Sequence, residues 1–376
     1  MYEGLVTASV ATIEPPSITD DSDVQITDVK DLGSYNWAES PVSKHSRSPP
    51  IWVDRAPPFT IQRDTGLFYV DQNGYRMANA PLLPLFKAVD IIQKDNGDPA
   101  LDWSSVDIIS DRNGLRKLVR WVKGSNEPKT FRIDMQLVGE RTVLLSRWNT
   151  RLQEEVVGYG HNFERDCTRL APGCEKSSGH HRIVNYNFEG LNMVVRFEVD
   201  ACVSSPVTVP SRSSRADDLE SAMAGLAIRP ASKPASTVTE DGITICKVGT
   251  NIPRTSIVEL TTLREGNLDQ FVWDEVYFQL LLSQTPNHFL ALHTRGTFSR
   301  VERRKLSTMG EKLEGGDKAQ RVMKGMKRVL EAIQELAITH GPEGRLTLVC
   351  DGTELKVYSR LSDGSLLPKS ILSRFD

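Results

Sequence analysis

The sequence has little of the features that would assign it to a class at once. Its five cysteines are odd in number and widely spaced, which argues against a disulfide framework and favours a reducing compartment. The formal net charge is −3 and the isoelectric point about 6.2, so the chain lacks the basic excess of a protein that binds nucleic acid over a whole face. It has neither a basic and apolar leader nor an apolar run approaching the roughly 18 residues of a membrane span. The sequence therefore predicts a soluble, intracellular protein with no membrane partner, in which any nucleic-acid groove is local.

Familiar catalytic signatures are also missing. The sequence contains no glycine-rich loop of the kind that cradles phosphates and no visible Ser-His-Asp arrangement. Cys167, Cys174, His180 and His181 are four potential zinc ligands within a short stretch, but their spacing is not that of a structural zinc site. His180 and His181 precede a predicted strand, and we expect them to line a surface or to touch a ligand phosphate.

What the sequence does have is a set of four acidic residues in or beside apolar segments: Glu164, Glu198, Asp200 and Glu259. Glu198 and Asp200 are two residues apart, so their side chains share one face if this segment is a strand. Such a pair is unfavourable unless a cation neutralises it or one carboxyl is protonated, and oxygen ligands of this kind suit Mg²⁺ or Mn²⁺. The alternative is the solvent face of an antiparallel strand. Glu259 is harder to explain in that way, because it follows two apolar residues in a predicted buried strand.

Composition divides the 376 residues into one main domain with irregular additions. Residues 1–30 are polar and aperiodic and are predicted to form a disordered tail. The domain is predicted to occupy residues 31–376, with a disordered insertion at 204–241 that lies between Asp200 and Glu259.

Hydrophobic periodicity predicts the elements of this domain. Alternation predicts strands at 182–188 and 191–203, joined by a tight turn at Glu189-Gly190. Apolar residues at helical spacing predict helices at 268–283 and 319–340, and two strands follow the second helix. The predicted fold class is α/β, with a mixed sheet and flanking helices.

Five segments then follow one another in a defined order: Asp111-Arg-Asn-Gly-Leu-Arg-Lys-Leu118, Gly160-His-Asn-Phe-Glu164, Arg196-Phe-Glu-Val-Asp-Ala-Cys202, Ile257-Val-Glu-Leu-Thr-Thr262 and Phe278-Gln-Leu-Leu-Leu-Ser-Gln-Thr-Pro-Asn-His-Phe-Leu-Ala-Leu-His293. Together they resemble the successive motifs of the DXO-type RNA 5′-end decapping nucleases, whose core is of the PD-(D/E)XK nuclease type. The resemblance extends from about residue 67 to the C terminus without the insertion, and its specificity lies in the order of the motifs.

The resemblance implies a role for each matching residue. The metal ligands would be Glu164, Glu198, Asp200, Glu259 and the carbonyl of Leu260, around one or two Mg²⁺ or Mn²⁺ ions. Gln279 would meet the scissile phosphate or a ligand water, and Arg112 would contact a substrate phosphate with its planar donor fork. The residues expected to act in hydrolysis are Glu198, Asp200, Glu259, Thr261 and Gln279.

Two positions depart from the family pattern. Thr261 stands where the family has lysine, so it supplies no positive charge beside the attacking water or the phosphate. The nearest basic candidates in the sequence are Arg264 and Lys247. His293 stands where the family tends to have a phosphate-binding arginine, so we expect weaker phosphate affinity at that position.

The resemblance implies a metal-dependent hydrolase of RNA 5′ ends, in the nucleus or the cytoplasm. The family removes incomplete or noncanonical caps, many members also degrade RNA from the 5′ end, and a nuclear 5′–3′ exoribonuclease is an implied partner. Two alternatives stay open. One is a relative that has lost the chemistry through Thr261 and binds RNA or regulates a partner, and the other is a PD-(D/E)XK nuclease that acts on DNA.

Overall fold

A computed structural model describes residues 1–17, 23–38, 48–124, 130–203, 237–310 and 316–376. In chain order its strands are β1 (Leu5–Ile13), β2 (Ile26–Ala38), β3 (Ile51–Trp52), β4 (Phe59–Thr60), β5 (Leu67–Tyr69), β6 (Ile108–Asp111), β7 (Phe131–Val138), β8 (Thr142–Arg147), β9 (Gln153–Glu155), β10 (Thr168–Arg169), β11 (Ser177–Phe188), β12 (Leu191–Val199), β13 (Ala201–Cys202), β14 (Thr237–Glu240), β15 (Ile243–Cys246), β16 (Ile257–Arg264), β17 (Asn287–Thr294), β18 (Thr297–Lys305), β19 (Arg345–Asp351) and β20 (Glu354–Arg360). Its α-helices are α1 (Gln72–Arg76), α2 (Leu83–Asn96), α3 (Arg112–Val122), α4 (Gly160–Asp166), α5 (Trp273–Ser283), α6 (Leu306–Met309), α7 (Gly316–His340) and α8 (Lys369–Leu372).

A nine-stranded sheet has the strand order β1-β20-β19-β7-β8-β6-β12-β11-β2. Its strands are mostly antiparallel, but β6 runs parallel to both β8 and β12. Because side chains alternate along each strand, the sheet has two apolar faces. The long helix α7 packs on one face with Met326 and Ile333, which confirms the apolar stripe predicted for it. Helix α2 packs on the other face with Phe86 and Val89.

A seven-stranded sheet has the order β10-β3-β13-β16-β17-β18-β4. Strands β16 and β17 are parallel, and α5 lies between them in the chain as a crossover helix. Phe163, Phe289 and Phe298 belong to the core of this half. Full burial of an apolar side chain of this size contributes about 1.5–3 kcal/mol, so this cluster fixes α4 against the sheet.

The two sheets join at Asp200, which corrects the predicted strand 191–203. That segment is two strands: β12 ends at Val199 in the nine-stranded sheet, and β13 begins at Ala201 in the seven-stranded sheet. The alternation of side chains continues through the junction, so the sequence pattern contains no sign of the change of sheet. The tight turn predicted at Glu189-Gly190 is confirmed, and both of its residues have positive φ.

The predicted disordered tail at residues 1–30 is wrong for the described part of that range. Strand β1 pairs with β20 at the edge of the nine-stranded sheet, and β2 begins at Ile26. Most of β1 is exposed, and edge strands with little burial lack a strong hydrophobic pattern. The predicted insertion ends earlier than residue 241, because β14 at Thr237–Glu240 pairs with β15. Residues 204–236 of the insertion lie outside the described residues.

Within the described ranges, no helix combines the length and the hydropathy that a membrane crossing requires.

Candidate active site

Asp200 and Glu259 come together where the two sheets join. Strand β13 runs antiparallel to β16 with Ala201 opposite Val258, so the residue before Ala201 lies beside the residue after Val258. Asp200 Oδ2 accepts a 2.7 Å hydrogen bond from the backbone N–H of Leu260. The long segment between the two acids in the sequence therefore does not separate them in space.

Glu259 is the most buried of the four acids, with 6% of its surface exposed. Arg112 Nη1 donates to Glu259 Oε2 at 2.7 Å, and the second guanidinium nitrogen lies 3.5 Å from Oε1. Gln279 on α5 donates from its side-chain amide to the same carboxylate. Three of the residues singled out in the sequence, from three different motifs, are thus in direct contact.

A buried ion pair positions Arg112 at the start of α3. Arg196 on β12 is completely buried and donates two hydrogen bonds, at 2.6 and 2.9 Å, to the carboxylate of Asp111 on the neighbouring strand β6. Asp111 is the last residue of β6, and α3 begins at the next residue. The ion pair therefore fixes the turn that delivers Arg112 to Glu259. Breaking a buried pair of this kind by removing one partner typically costs about 3–5 kcal/mol.

Glu164 reaches the same region from α4. The carboxylate of Asp64 accepts hydrogen bonds from the backbone N–H groups of Asn162, at 2.8 Å, and His161, at 3.4 Å, which satisfies the first turn of this helix. No pattern in the sequence indicates Asp64, because the helix that it caps begins almost a hundred residues further along the chain. Phe163 anchors the other side of α4 in the core of the seven-stranded sheet.

The four acids form one electrostatic group. Burial raises the pKa of Glu164 to about 8, with further contributions from the charges of Glu198 and Glu259. Burial also raises the pKa of Asp200 well above its usual value, as do the neighbouring charges of Glu259 and Glu164, while the hydrogen bond from Leu260 opposes the shift. The pKa of Glu198 is raised as well, although this residue remains accessible to solvent. Carboxyls that disfavour their own ionisation in this way favour a bound cation or a proton.

The side chains do not form a ready coordination shell. In the described part of the chain, no group of three or more His, Cys, Asp or Glu side chains is arranged to hold an ion. The reason lies in their partners: Glu259 is paired with Arg112 and Gln279, and Asp200 with a backbone N–H. In chemistry the set fits a hard divalent cation, since every donor is a carboxylate and three of the four have raised pKa values.

Thr261 lies beside His288, a residue for which the sequence analysis predicts no role. Its hydroxyl lies 3.0 Å from Nε2 of His288, which stands opposite Glu259 on the parallel strand β17. Burial lowers the pKa of His288 to about 4, so the ring is neutral at pH 7. No signal beyond its place in the motif segment Phe278–His293 marked this residue.

The structure does not bring the other basic candidates to the acids. Lys247 is paired with Asp95 at 2.6 Å. Arg264 and His293 are opposite each other at the far end of β16 and β17, five residues beyond the level of Glu259 and His288. His293 packs between Tyr159 and Phe298 with 8% of its surface exposed, so its predicted role in phosphate binding has no support from its position.

A polar cavity of about 240 Å³ adjoins Glu198 and Arg112. Its wall also includes Arg116 on α3, Arg147 at the end of β8 and His181 on β11. Arg116 follows Arg112 by four residues, a spacing that places both on one side of a helix. That spacing was available in the sequence, whereas the approach of Arg147 and His181 depends on the sheet order.

Solved structures with a similar fold cover nine-tenths or more of this chain. S. pombe Rai1 has a TM-score of 0.58 and 11% identity, with 90% of this chain and 96% of that chain covered. Candida albicans Rai1 in complex with pU5-Mn²⁺ has a TM-score of 0.60 and 11% identity, with 94% and 95% covered. K. lactis Dxo1 in complex with manganese has a TM-score of 0.52 and 9% identity, with 95% and 97% covered. The fold expected from the resemblance to the DXO-type nucleases is confirmed.

A family model gives the relationship in sequence. The model described as Domain of unknown function (DUF8563) matches residues 10–375. A comparison with curated proteins gives no match. The chain therefore belongs to this DUF8563 family, and its fold is that of the Rai1 and Dxo1 proteins.

Proposed function

We propose that this protein is a Mg²⁺- or Mn²⁺-dependent hydrolase of RNA 5′ ends that removes incomplete or noncanonical caps. The observation that carries the proposal is the acidic group at the sheet junction, where burial and mutual repulsion raise the pKa of three carboxyls. The fold supports it, because similar structures include a Rai1 crystallised with pU5 and Mn²⁺ and a Dxo1 crystallised with manganese.

The residues that would hold the ion or ions are Glu164, Glu198, Asp200, Glu259 and the carbonyl of Leu260. When bound, a divalent ion lowers the pKa of a water ligand and stabilises charge on the phosphoryl oxygens. In the described structure the guanidinium of Arg112 is the nearest positive charge to the Glu259 carboxylate. A bound cation would neutralise Glu259 in its place and so release Arg112. Arg112 lines the adjacent cavity, so its released N–H groups are placed to bind a substrate phosphate.

Gln279 would act next to Arg112. Its amide N–H contacts Glu259, so the rest of the amide is available to orient a water or a phosphate oxygen at the same carboxylate. Glu198, Asp200 and Glu259 would act in hydrolysis as ligands of the ion, and Thr261 would contribute a neutral hydroxyl where the DXO-type family has an ammonium group.

A purified-protein assay tests the proposal. The protein is incubated with Mn²⁺ or Mg²⁺ and one of four substrates of the same sequence: 5′-triphosphate RNA, NAD-capped RNA, 5′-monophosphate RNA and single-stranded DNA. We expect hydrolysis at the 5′ end of the first two, and no hydrolysis by the Glu198→Gln variant or in excess chelator. Hydrolysis of DNA alone would replace the RNA assignment with the DNA nuclease. The expected exoribonuclease partner and the nuclear location stay predictions.

A noncatalytic RNA-binding protein is the second candidate, and one observation favours it. Thr261 and the neutral His288 leave this part of the site without the positive charge expected from the family. The two candidates differ in a simple way: the noncatalytic protein would bind RNA and the wild type would leave all four substrates intact with either metal.

A further inference from the structure

The cavity beside Glu198 has the composition of an anion site. Arg112, Arg116 and Arg147 contribute three guanidinium groups to a wall that encloses about 240 Å³. That volume is below the roughly 300–1,000 Å³ of sites that enclose a whole small molecule, so it suits one or two phosphate groups. The same wall holds three carboxylates: Asp111 is paired with Arg196, Asp71 accepts from the backbone N–H of Gly74, and Glu198 is one of the proposed metal ligands.

Arg116 is incompletely paired. Its Nε has no hydrogen-bond partner in the described parts of the chain, and its nearest carboxylate, Glu275, is 3.7 Å away and bonded more closely to Arg120. Burial lowers the pKa of Arg116 to about 10, and the neighbouring charges of Arg112 and Arg120 add to the effect. A bound anion would relieve this crowding of positive charge.

His181 adds a neutral donor whose tautomer the structure fixes. Arg196 donates to the hydroxyl of Tyr35 at 3.2 Å, so that hydroxyl donates its own proton to Asn73 Oδ1. Trp37 donates to the same oxygen at 2.9 Å, which leaves the amide nitrogen of Asn73 facing His181 Nε2 at 3.1 Å. The Asn73 amide must donate in this contact, so the ring proton of His181 is on Nδ1.

The Nδ1–H of His181 has no partner among the described residues, although only 5% of the residue is exposed. Burial and the charges of Arg196, Arg112 and Arg147 lower the pKa of His181 well below its usual value, so the ring stays neutral. A buried donor without a partner is unfavourable, and a ligand oxygen would satisfy it. Asn113 Oδ1 in the same wall is also unpaired, an acceptor that suits a ligand hydroxyl next to the phosphate.

We propose that this cavity is a phosphate subsite for the terminal phosphates of a 5′-triphosphate or pyrophosphate-linked RNA end, held by Arg116, Arg147 and His181 next to the metal-binding acids. This inference rests on the proposed function for its substrate. On a 5′-triphosphate end, water adds to the α-phosphorus, the bond from that phosphorus to the α–β bridging oxygen breaks, and the terminal phosphates leave as pyrophosphate. On a pyrophosphate-linked end the same cleavage releases the cap as a nucleotide. Glu198 is both a proposed metal ligand and part of the cavity wall. The leaving phosphates would therefore lie in the cavity, next to the metal-binding acids.

Binding without a divalent ion tests the subsite separately from catalysis. Pyrophosphate is titrated into the full chain in excess chelator by calorimetry, with wild type, Arg147→Gln and Arg116→Gln. The loss of a hydrogen bond to a charged group corresponds to roughly tenfold to hundredfold weaker binding, and we expect that loss in both variants. Arg328→Gln is the control, because Arg328 is exposed on α7 and outside the wall of the cavity.

His181→Phe tests the neutral donor. It retains a ring to stack on Tyr35, which lies 5.0 Å away between ring centroids, and removes both Nδ1–H and the Nε2 that accepts from Asn73. We expect pyrophosphate affinity to fall, and thermal unfolding of the variant measures the separate loss of the Asn73 contact. If an arginine variant does not fold, protection of the wild-type arginines from phenylglyoxal by pyrophosphate, located by mass spectrometry at Arg116 and Arg147, replaces it.

The outcomes separate the two proposals. Pyrophosphate binding that is absent from the wild type, or unchanged in both arginine variants, would overturn the subsite even if the protein hydrolyses RNA. Binding that depends on Arg116 and Arg147 in a protein that cleaves no substrate would support the subsite and reject the proposed function. A raised KM for 5′-triphosphate RNA in the same two variants, with the KM of Arg328→Gln unchanged, would support both.

Discussion

At the scale of single residues, the clearest chemical consequence comes from Thr261, which stands where the DXO-type pattern has lysine. The nearest titratable neighbour, His288, is held neutral by burial, so nothing in that contact restores the charge. A positive charge near the phosphate stabilises the transition state more than the ground state, and the loss of such a contact commonly lowers the rate by about 10²–10³. Under the proposed function, this exchange predicts a slow enzyme rather than a fast one.

The first prediction is that Thr261→Lys raises the single-turnover rate on 5′-triphosphate or NAD-capped RNA about 10- to 10³-fold, because the new ammonium group lies two residues from Glu259 on the same face of β16. Affinity for the RNA should change much less. Thr262→Lys is the control, since its side chain points to the other face of the strand. If both variants remain inactive while RNA binding persists, the noncatalytic candidate is favoured.

Lys117 gives a prediction for stability. Burial lowers its pKa to about 8, with a further contribution from the charge of Arg147. Between about pH 8 and the ordinary pKa of lysine near 10.5, the unfolded chain holds a proton that the folded chain has released, so this residue makes stability rise with pH. Below pH 8 the charged side chain costs free energy in the folded state.

We therefore expect Lys117→Met to be more stable than the wild type at pH 7, by about 1–3 kcal/mol, with the advantage fading by about pH 10.5. Urea unfolding at pH 7, 9 and 10.5 measures the difference between the two proteins. A difference that does not vary with pH would mean that the folded state does not shift the pKa of Lys117.

At the scale of elements, strands β11 and β12 set the position of Glu198. A Cβ atom added at Gly179 on β11 would lie 2.9 Å from Glu198 Oε1 and 2.7 Å from Gln72 Nε2. Both contacts are with the ends of side chains that can move, so the backbone is not forced apart. The glycine therefore leaves space for the carboxylate in its present position.

Gly179→Ala should displace the Glu198 carboxylate and weaken Mn²⁺ binding by roughly tenfold, with a change in stability on the order of 1 kcal/mol or less. Calorimetric titration with Mn²⁺ and thermal unfolding measure the two effects. Gly266→Ala is the comparison, because an added Cβ there contacts nothing within 4 Å. Equal Mn²⁺ affinity in both variants would show that Gly179 does not position Glu198.

The same elements show what the sequence could and could not predict. Helical spacing located α7, because this helix buries one face and the pattern records burial. Period-two alternation located most of β11, although the structure buries both faces of this strand from His180 to Tyr186. The motif order also brought Asp200, Glu259, Arg112 and Gln279 into one hypothesis, and they are in one region of the structure.

What escaped prediction depends on neighbours that are distant in sequence. The change of sheet at Asp200 and the edge strand β1 follow from pairing with β16 and β20, which local pattern does not encode. The pairing of Arg112 with Glu259 and the tautomer of His181 arise from contacts between elements far apart in the chain. Such contacts require the topology of the sheets first.

At the scale of the whole molecule, the acidic group lies where the two sheets join. Glu198 belongs to the nine-stranded sheet, Glu259 to the seven-stranded sheet, and Asp200 to the junction between them. Their repulsion acts against this junction, so a cation bound by all three would stabilise the entire fold rather than one loop.

The last prediction follows from that placement. Mn²⁺ at about a hundred times its dissociation constant should stabilise the wild type by about 2.7 kcal/mol, because only the folded chain brings the acids together. Asp200→Asn should lose this stabilisation, yet be as stable as the wild type or slightly more stable in chelator, since it removes one repelling charge and keeps an oxygen for the Leu260 N–H. Thermal unfolding with Mn²⁺ and with chelator measures both effects, and Asp363→Asn at an exposed position is the control. Undiminished stabilisation of Asp200→Asn by Mn²⁺ would exclude Asp200 as a ligand, whereas a large loss of stability in chelator would assign it a structural role instead.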